Sequence, residues 1–484
     1  MTNLRIVYKI IGQLLFLEAV MMALCAGLAL YLAEDDVLAF VIAITVTIAA
    51  SFILRFLGRD AENTLGRREA YLVVTLTWVA FSVFGALPYL ISGYINNPTD
   101  AFFETMSGFT TTGCSIVNDV EKLPHGLLMW RTMTQWIGGL GIVFFTIAVL
   151  PSMVGGNVKV FAAEATGPMR AKLHPRLSTT AKWIWTIYSV LTVTCAACYY
   201  LAGMGLFDCV NYAMTTTATG GFATHNESTA YFHNVYIDYT AITFMFLSGV
   251  SFTLLYTTLF KGRIKQFFKN AEFKLYITLV LIATLVIAGI LIHDSHFHVL
   301  DAIRTSLFQV VSFITTTGIF SDDASQWHHI IWIILGLCMV IGACSGSTSG
   351  GFKCIRAVMI FTILRNEIRR ILHPRAVLPV KVNATSVPYS SQVTLLAFFT
   401  AYMALCLFTY VVMILSGIDN TNSITIAISC ASNVGPGLEM IGPPMLWSDL
   451  PTITKWMLTG LMLMGRLEIF SVLVLFTPSF CKDN

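Results

Sequence analysis

The sequence predicts an all-α integral membrane fold. Four parallel repeats of span, short helix and span would share one axis, with two extra N-terminal transmembrane helices beside them. Three observations carry this expectation. The 484 residues are 56% hydrophobic and only 11% charged, about half the charge of an ordinary soluble domain, and mean hydropathy is +0.74. The apolar residues are gathered into long runs. One short signature returns four times, as Thr110-Thr111-Thr112-Gly113, Thr217-Ala218-Thr219-Gly220, Thr315-Thr316-Thr317-Gly318 and Ser432-Asn433-Val434-Gly435.

The long runs fall near 8–33, 37–57, 70–93, 126–152, 182–204, 235–260, 273–293, 328–361, 387–416 and 452–478. A helix needs about 20 residues to cross the hydrocarbon, so each run is long enough to span. Four shorter runs, near 100–112, 207–219, 300–317 and 422–434, read as re-entrant segments buried within protein. The first run is longer than the core of a secretory leader and is followed directly by another span, so it reads as a membrane helix. The eleven cysteines are scattered, mostly in apolar runs. Cys195 and Cys198 lie mid-span with no second CxxC or histidine near them, which reads as packing.

Charge sets the orientation. Arg55, Arg59, Arg67 and Arg68 share one loop, and Lys159, Arg170, Lys172, Arg176 and Lys182 share the next. Lys261, Arg263, Lys265, Lys269 and Lys274 follow, then Arg365, Arg369, Arg370, Arg375 and Lys381. The opposite loops 205–234 and 417–451 carry neither Lys nor Arg. The positive-inside rule makes the basic loops cytoplasmic. Both termini are then expected in the cytoplasm, with all four Thr/Gly runs toward the outside.

Residues 1–69 hold the two extra spans. The repeats are expected at 70–170, 171–267, 268–380 and 381–484. All four run the same way, unlike the inverted repeats of many secondary transporters. Asp100, Asp208 and Asn422 stand 13, 12 and 13 residues before their glycines, and Asp301 stands 17 before its own. Each is expected as an N-cap. The short helices would then start at the outer surface and point their partially negative C-terminal ends at the middle of the membrane, where a cation is favoured. A Thr/Gly run suits a potassium filter built from backbone carbonyls, and glycine supplies backbone angles that a side chain forbids. Four runs in one chain could close a potassium-channel-like, pseudo-four-fold ring around one pore.

Taken together these residues resemble the Trk/Ktr/HKT superfamily of potassium transporters. The two extra helices and the chain length are most similar to its TrkH-type bacterial potassium uptake subunit. The resemblance covers the whole chain and implies that Gly113, Gly220, Gly318 and Gly435 are the filter glycines. The sixteen residues of the four runs would be the ion-binding positions. Plant members that transport sodium have serine at the first of these glycines, so Gly113 resembles the potassium-selective class. The fourth run keeps its glycine but departs from the Thr-rich wording. The resemblance further implies a bacterial inner-membrane location, a homodimer and a cytoplasmic nucleotide-binding regulatory partner. Potassium would be the substrate, with no cofactor.

Two features match the family below the filter. Gly342-Ala343-Cys344-Ser345-Gly346-Ser347-Thr348-Ser349-Gly350-Gly351 interrupts the span 328–361, and such a run should not hold a regular helix. In the family this segment is an intramembrane gating loop; a GxxxG packing face is the alternative. Lys353 follows it directly and would help close it; a membrane-edge lysine is the alternative. Arg466, inside the last apolar run, resembles the family arginine that projects into the pore. An arginine at that depth faces the protein interior or water, and an ion pair with a buried carboxylate such as Glu468 is the alternative.

Asp119, Glu227, Asp322, Asp323 and Glu439 follow the filters and would give the outer mouth a negative field; solvated loop charge is the alternative for each taken singly. His225, His328 and His329 lie in outer loops without metal-like grouping. No nucleotide-binding loop, nucleophile elbow or HExxH occurs, so no enzyme activity is expected. Potassium uptake is the reading these features support. A proton- or sodium-coupled symporter is the rival of the same class, and a non-conducting potassium sensor is the rival of another.

Overall fold

The computed structural model describes residues 3–61, 66–141, 177–294, 297–322, 327–383, 385–436 and 447–481. Two long helices open the chain, α1 (Leu4–Leu32) and α2 (Val37–Leu57). They pack along each other because small residues meet. The Ser51 hydroxyl donates to the Gly12 carbonyl at 2.5 Å, and a Cβ on Gly12 would stand 2.8 Å from the Ser51 carbonyl oxygen.

Four stretches with the same order of elements follow. The first holds α3 (Arg67–Gly85), its continuation α4 (Leu87–Ser92), the short α5 (Pro98–Phe109) and α6 (His125–Gly139). The second holds α7 (Leu177–Leu201), the short α8 (Leu206–Ala218), α9 (Val235–Ser248) and α10 (Phe252–Leu259). A link, α11 (Ile264–Lys269), leads to the third, with α12 (Ala271–Asp294), the short α13 (Val299–Ile314), α14 (His329–Ile341) and α15 (Cys354–Leu372). A two-stranded antiparallel hairpin, β1 (Lys381–Val382) with β2 (Thr385–Ser386), precedes the fourth. That stretch holds α16 (Tyr389–Leu415), the short α17 (Asn420–Ser432), α18 (Thr452–Leu467), α19 (Ile469–Leu473) and α20 (Pro478–Cys481).

Among the described residues six helices are long and apolar enough to cross a membrane, or up to eight if each of two bent pairs is one span, against the ten spans expected. The difference lies in the second span of each stretch. The run 235–260 bends by 98° between α9 and α10, and 452–478 bends by 116° after α18. The run 328–361 is interrupted between α14 and α15. In the first stretch α6 ends at Gly139, with Gly141 at φ 81°. The remainder of 126–152, with Lys159, Arg170, Lys172 and Arg176, lies outside the described residues. Backbone causes are visible at each break. Glu468 sits at φ 65° and Gly342 at φ 69°. At Gly249 the chain is turned by cross-bonds, from the Cys344 amide to the Gly249 carbonyl at 3.0 Å and from the Phe252 amide to the Gly346 carbonyl at 2.9 Å.

The four short helices are largely enclosed, and each packs on three other helices. Two come from its own stretch and one from the stretch before: α5 touches α3, α6 and α18; α8 touches α7, α9 and α6; α13 touches α12, α14 and α9; α17 touches α16, α18 and α14. The contacts therefore return to the first stretch. Their starts correct the expected caps by one turn. Asp100, Asp208, Asp301 and Asn422 occupy the third helical position, while Asn97, Gly205, His298 and Asp419 are the N-caps. Asn97 accepts from the Thr99 amide at 2.9 Å, and Asp419 accepts from the Asn422 amide at 3.1 Å. The acids at the third position still favour the helix start through its dipole.

One buried ion pair fastens the first stretch. Glu104 on α5 and Arg131 on α6 meet at 2.9 Å, with side chains 0% and 2% exposed. The carboxylate also accepts from the Ile116 amide at 2.7 Å, and the guanidinium donates to Ser115 at 2.9 Å and to the Ala223 carbonyl at 3.2 Å. Removing one member strands a buried charge. Glu104→Gln is expected to destabilise the detergent-solubilised protein by about 3–5 kcal/mol. Replacing both partners, Glu104→Leu with Arg131→Met, should recover part of that loss in thermal unfolding. A single Glu104→Gln variant as stable as the parent would remove the pair from this role.

Candidate functional site

The four short helices end in the same way. One or two residues past each helical terminus the backbone turns left-handed: Thr111 at φ 52°, Thr219 at 53°, Thr316 at 56° and Asn433 at 56°. The next amide in each copy closes back on the helix. Thr112 bonds the Ser107 carbonyl at 2.9 Å, Gly220 the Thr215 carbonyl at 3.0 Å, Thr317 the Ser312 carbonyl at 2.8 Å and Val434 the Ser429 carbonyl at 3.0 Å. This is a Schellman termination, which ordinarily places glycine or asparagine at the left-handed position. A β-branched threonine there costs roughly 1–2 kcal/mol, and such strain clusters at functional sites. Asn433 is the one copy in which the residue is a natural tenant of these angles, which accounts for the departure of the fourth run from Thr-rich wording.

Two residues beyond each left-handed position stands a glycine with positive φ: Gly113 at 85°, Gly221 at 87°, Gly318 at 74° and Gly435 at 105°. A Cβ on any of the four would overlap a carbonyl oxygen of the following stretch. Gly113 faces Gly220, Gly221 faces Thr317, Gly318 faces Val434 and Gly435 faces Thr112, so the contacts run in order and close on themselves. In this geometry the second-stretch partner of Gly113, Gly318 and Gly435 is Gly221. Gly220, the glycine of the sequence signature, aligns instead with Thr112, Thr317 and Val434. Thr217 and Ala218 lie one position earlier than the pattern suggested, inside the end of α8. The cause is a pair of adjacent glycines: composition cannot say which adopts the positive φ.

The side chains of Thr110, Thr111, Thr112, Thr217, Ala218, Thr219, Thr315, Thr316, Thr317, Ser432, Asn433 and Val434 are all buried. Thr110 and Thr112 share a hydroxyl contact of 2.7 Å, and Thr315 and Thr317 repeat it at 2.7 Å. The Asn433 amide donates to the Thr112 hydroxyl at 2.9 Å. Thr111 Oγ1 and Asn433 Oδ1 are buried oxygens with no hydrogen-bond partner. Gln135, which the sequence reading passed over, holds the second copy. Its Nε2 donates to the Gly220 carbonyl at 2.6 Å, and its Oε1 accepts from Thr215 at 2.6 Å and the Phe222 amide at 3.1 Å. Arg131 was likewise missed. A polar residue and an arginine within an apolar run were the available signal.

Directly against this ring lies the 342–353 segment. It is not a helix, so it does not form the GxxxG packing face that the spacing allowed. The Gly350 amide donates to Thr316 Oγ1 at 2.6 Å, and the Gly351 amide to the Ser432 carbonyl at 2.8 Å. The segment's far side is held by Glu272 of α12, whose carboxylate accepts from the Ser345 amide at 2.5 Å and the Ile355 amide at 3.2 Å. Lys353 is buried at φ 79° and donates to the Ser349 carbonyl. Gly342, Gly346 and Gly351 have positive φ, Thr348 and Ser349 are buried, and Ser347 donates to the Cys344 carbonyl at 2.6 Å.

Arg466 reaches into the same place. It donates to the Thr348 carbonyl at 2.8 Å and to the Gly138 and Gly139 carbonyls at 2.6 and 2.7 Å. The last two belong to the C-terminus of α6, where a cation is favoured by the helix dipole. Glu468, the partner considered for it, instead pairs with Arg356 of α15. In the outer loops the Asn226 amide and Lys122 hold the Asp119 carboxyl below the ordinary carboxylate range. His225 lies between Glu121 at 3.3 Å and Asp208 at 3.6 Å, and His328 caps α14. Asp323 and Glu439 lie outside the described residues.

Comparison with known proteins agrees with this architecture. The family model described as TrkH, cation transport protein, matches residues 37–482. The TrkH potassium uptake protein of Halomonas elongata is 35% identical over 99% of this chain and 100% of its own length. That of Escherichia coli K12 is 34% identical over 99% and 100%. The crystal structure of the potassium transporter TrkH from Vibrio parahaemolyticus superposes with a TM-score of 0.90 at 33% identity, covering 99% of this chain and 100% of that one. A helical membrane chain with this match along nearly its whole length belongs to the TrkH family of potassium transporters, which are not enzymes.

Proposed function

We propose that this chain takes potassium up across a bacterial inner membrane through a single pore, with the four runs as its filter. The supporting observation is the closed cycle in which each positive-φ glycine meets the next stretch's carbonyl. Positive-φ residues recur two apart along each run, and a filter for a dehydrated cation is built from backbone carbonyls. In this reading the filter is Thr110 to Gly113, Ala218 to Gly221, Thr315 to Gly318 and Ser432 to Gly435. The repeats occupy 70–170, 171–267, 268–380 and 381–484.

The 342–353 segment is the gate beneath the filter, and Arg466 and Lys353 fasten it. The basic loops and both termini face the cytoplasm, where a nucleotide-binding subunit acts on a homodimer; family resemblance supports that assembly. A membrane potential is sufficient drive, since about 2.3 kcal/mol per 100 mV sustains roughly fifty-fold accumulation at about 1.4 kcal/mol per tenfold. Rubidium flux into sealed vesicles containing the purified protein tests the function, and potassium binding without flux would leave a sensor instead.

The filter register yields one prediction. Serine at Gly113 or Gly221 adds the left-handed penalty of roughly 1–2 kcal/mol and pushes on a neighbouring carbonyl. Either variant should lose potassium preference over sodium by about tenfold for each 1.4 kcal/mol of lost coordination, read as sodium competition against rubidium uptake. Serine at Gly220 meets the Gln135 side chain rather than backbone. Shortening that side chain, Gln135→Ala, should therefore rescue the folded yield of Gly220→Ser and not that of Gly221→Ser. A folded Gly221→Ser protein with unchanged selectivity would remove Gly221 from the filter.

A second prediction concerns Arg466. Its three carbonyl contacts tie the gate to α6, and its charge opposes cation passage by about 2 kcal/mol at roughly 8 Å and an effective dielectric near 20. Arg466→Ala should raise flux up to about thirtyfold if this point limits the rate. Arg466→Lys separates the two contributions, since an ammonium keeps the charge and loses the planar fork. Low flux in the lysine variant assigns the effect to charge, and high flux assigns it to the tether. A stable Arg466→Ala protein with parental flux would defeat both.

A further inference from the structure

Two thiols face each other at the seam where the ring closes. Cys114 follows Gly113 directly, Cys430 lies on α17, and both are fully buried. Their sulfurs are 3.9 Å apart, across 316 residues of sequence, and Cys114 Sγ is 3.3 Å from the Gly435 carbonyl oxygen. Both cysteines belong to a buried apolar cluster with Phe103, Ile116 and Ile426. Neither cysteine belongs to a CxxC pair, so spacing alone gives no hint of the site.

We infer that Cys114 and Cys430 form a binding site for a soft monovalent cation of the d10 class, such as copper(I) or silver(I), set one residue off the ion path. The inference rests on the reading of the ring as that path. Thiolate sulfur selects soft ions over potassium. Metal–thiolate bonds of about 2.3 Å, placed in line, would separate the sulfurs by roughly 4.6 Å, so a bent bridge needs no large shift from 3.9 Å. A disulfide would need the sulfurs to close to about 2.05 Å, a larger movement against the ring backbone. The step balances without an oxidant. The arriving cation displaces one thiol proton to water in the outer mouth, forms one metal–thiolate bond and accepts a lone pair from the second sulfur. One positive charge enters and one leaves, so the buried site stays neutral. The bridged cation then joins the first and fourth runs beside the Gly435 carbonyl and blocks potassium.

The test uses silver ion on the full-length protein in sealed vesicles, with rubidium uptake as the readout. Silver should block uptake, and excess dithiothreitol should restore it. Losing partners in the second coordination shell alone costs about 10–100-fold in metal affinity, so Cys114→Ser or Cys430→Ala should raise the blocking silver concentration by at least about a hundredfold. Each variant is compared with its own silver-free flux. Where a variant conducts too poorly to measure, elemental analysis of purified protein decides: the double variant should bind one silver fewer than the parent. Equal silver binding, or an unshifted block in a conducting double variant, overturns the inference. A parent protein that passes no rubidium overturns the pore reading instead and leaves the silver count to judge this site.

Discussion

Everything in this molecule is arranged around the absence of four Cβ atoms. Gly113, Gly221, Gly318 and Gly435 each lie against a carbonyl of the next stretch, closer than any side-chain-bearing residue could approach. That approach sets how tightly the four stretches draw together. It also explains why every short helix is cut off by a Schellman turn rather than fraying. The turn aims the chain back along the seam, and strained threonines are tolerated at its left-handed position because packing on three neighbouring helices over-determines it. The long helices outside expose much of their apolar surface and pack the rest against this arrangement.

Much of this was legible in the residues. Hydropathy marked the runs, and the four Thr/Gly signatures marked where the short helices stop. The density of glycine and serine across 342–351 marked a break that the structure contains. What the sequence left hidden has physical causes. Adjacent Gly220 and Gly221 are chemically identical, and only the sign of φ separates the one that faces a neighbouring carbonyl from the one that supplies such a carbonyl. The bends at Gly249 and Glu468 fall inside long apolar runs, where cross-bonds to a distant segment or one residue of positive φ leave hydropathy unchanged. Capping was misplaced by a turn because aspartate suits both the cap and the third helical position.

The regions around the two buried arginines are easier to understand together. Arg131 is neutralised by Glu104 and secures the side of the ring formed by the first two stretches. Arg466 spends three hydrogen bonds on carbonyls, two of them at the negative end of α6. One is a structural rivet; the other joins an interrupted span to its neighbour.

The ring closes through the Asn433–Thr112 contact, across 321 residues of sequence. At roughly 5–20 residues per second, the first run waits tens of seconds in the membrane before the fourth exists. Contacts this distant in sequence carry a loop-closure cost that must be met before they stabilise anything. The ring thus cannot close until the fourth run has been made. A chain truncated before Asn433 would hold three correctly terminated helices and no closed ring.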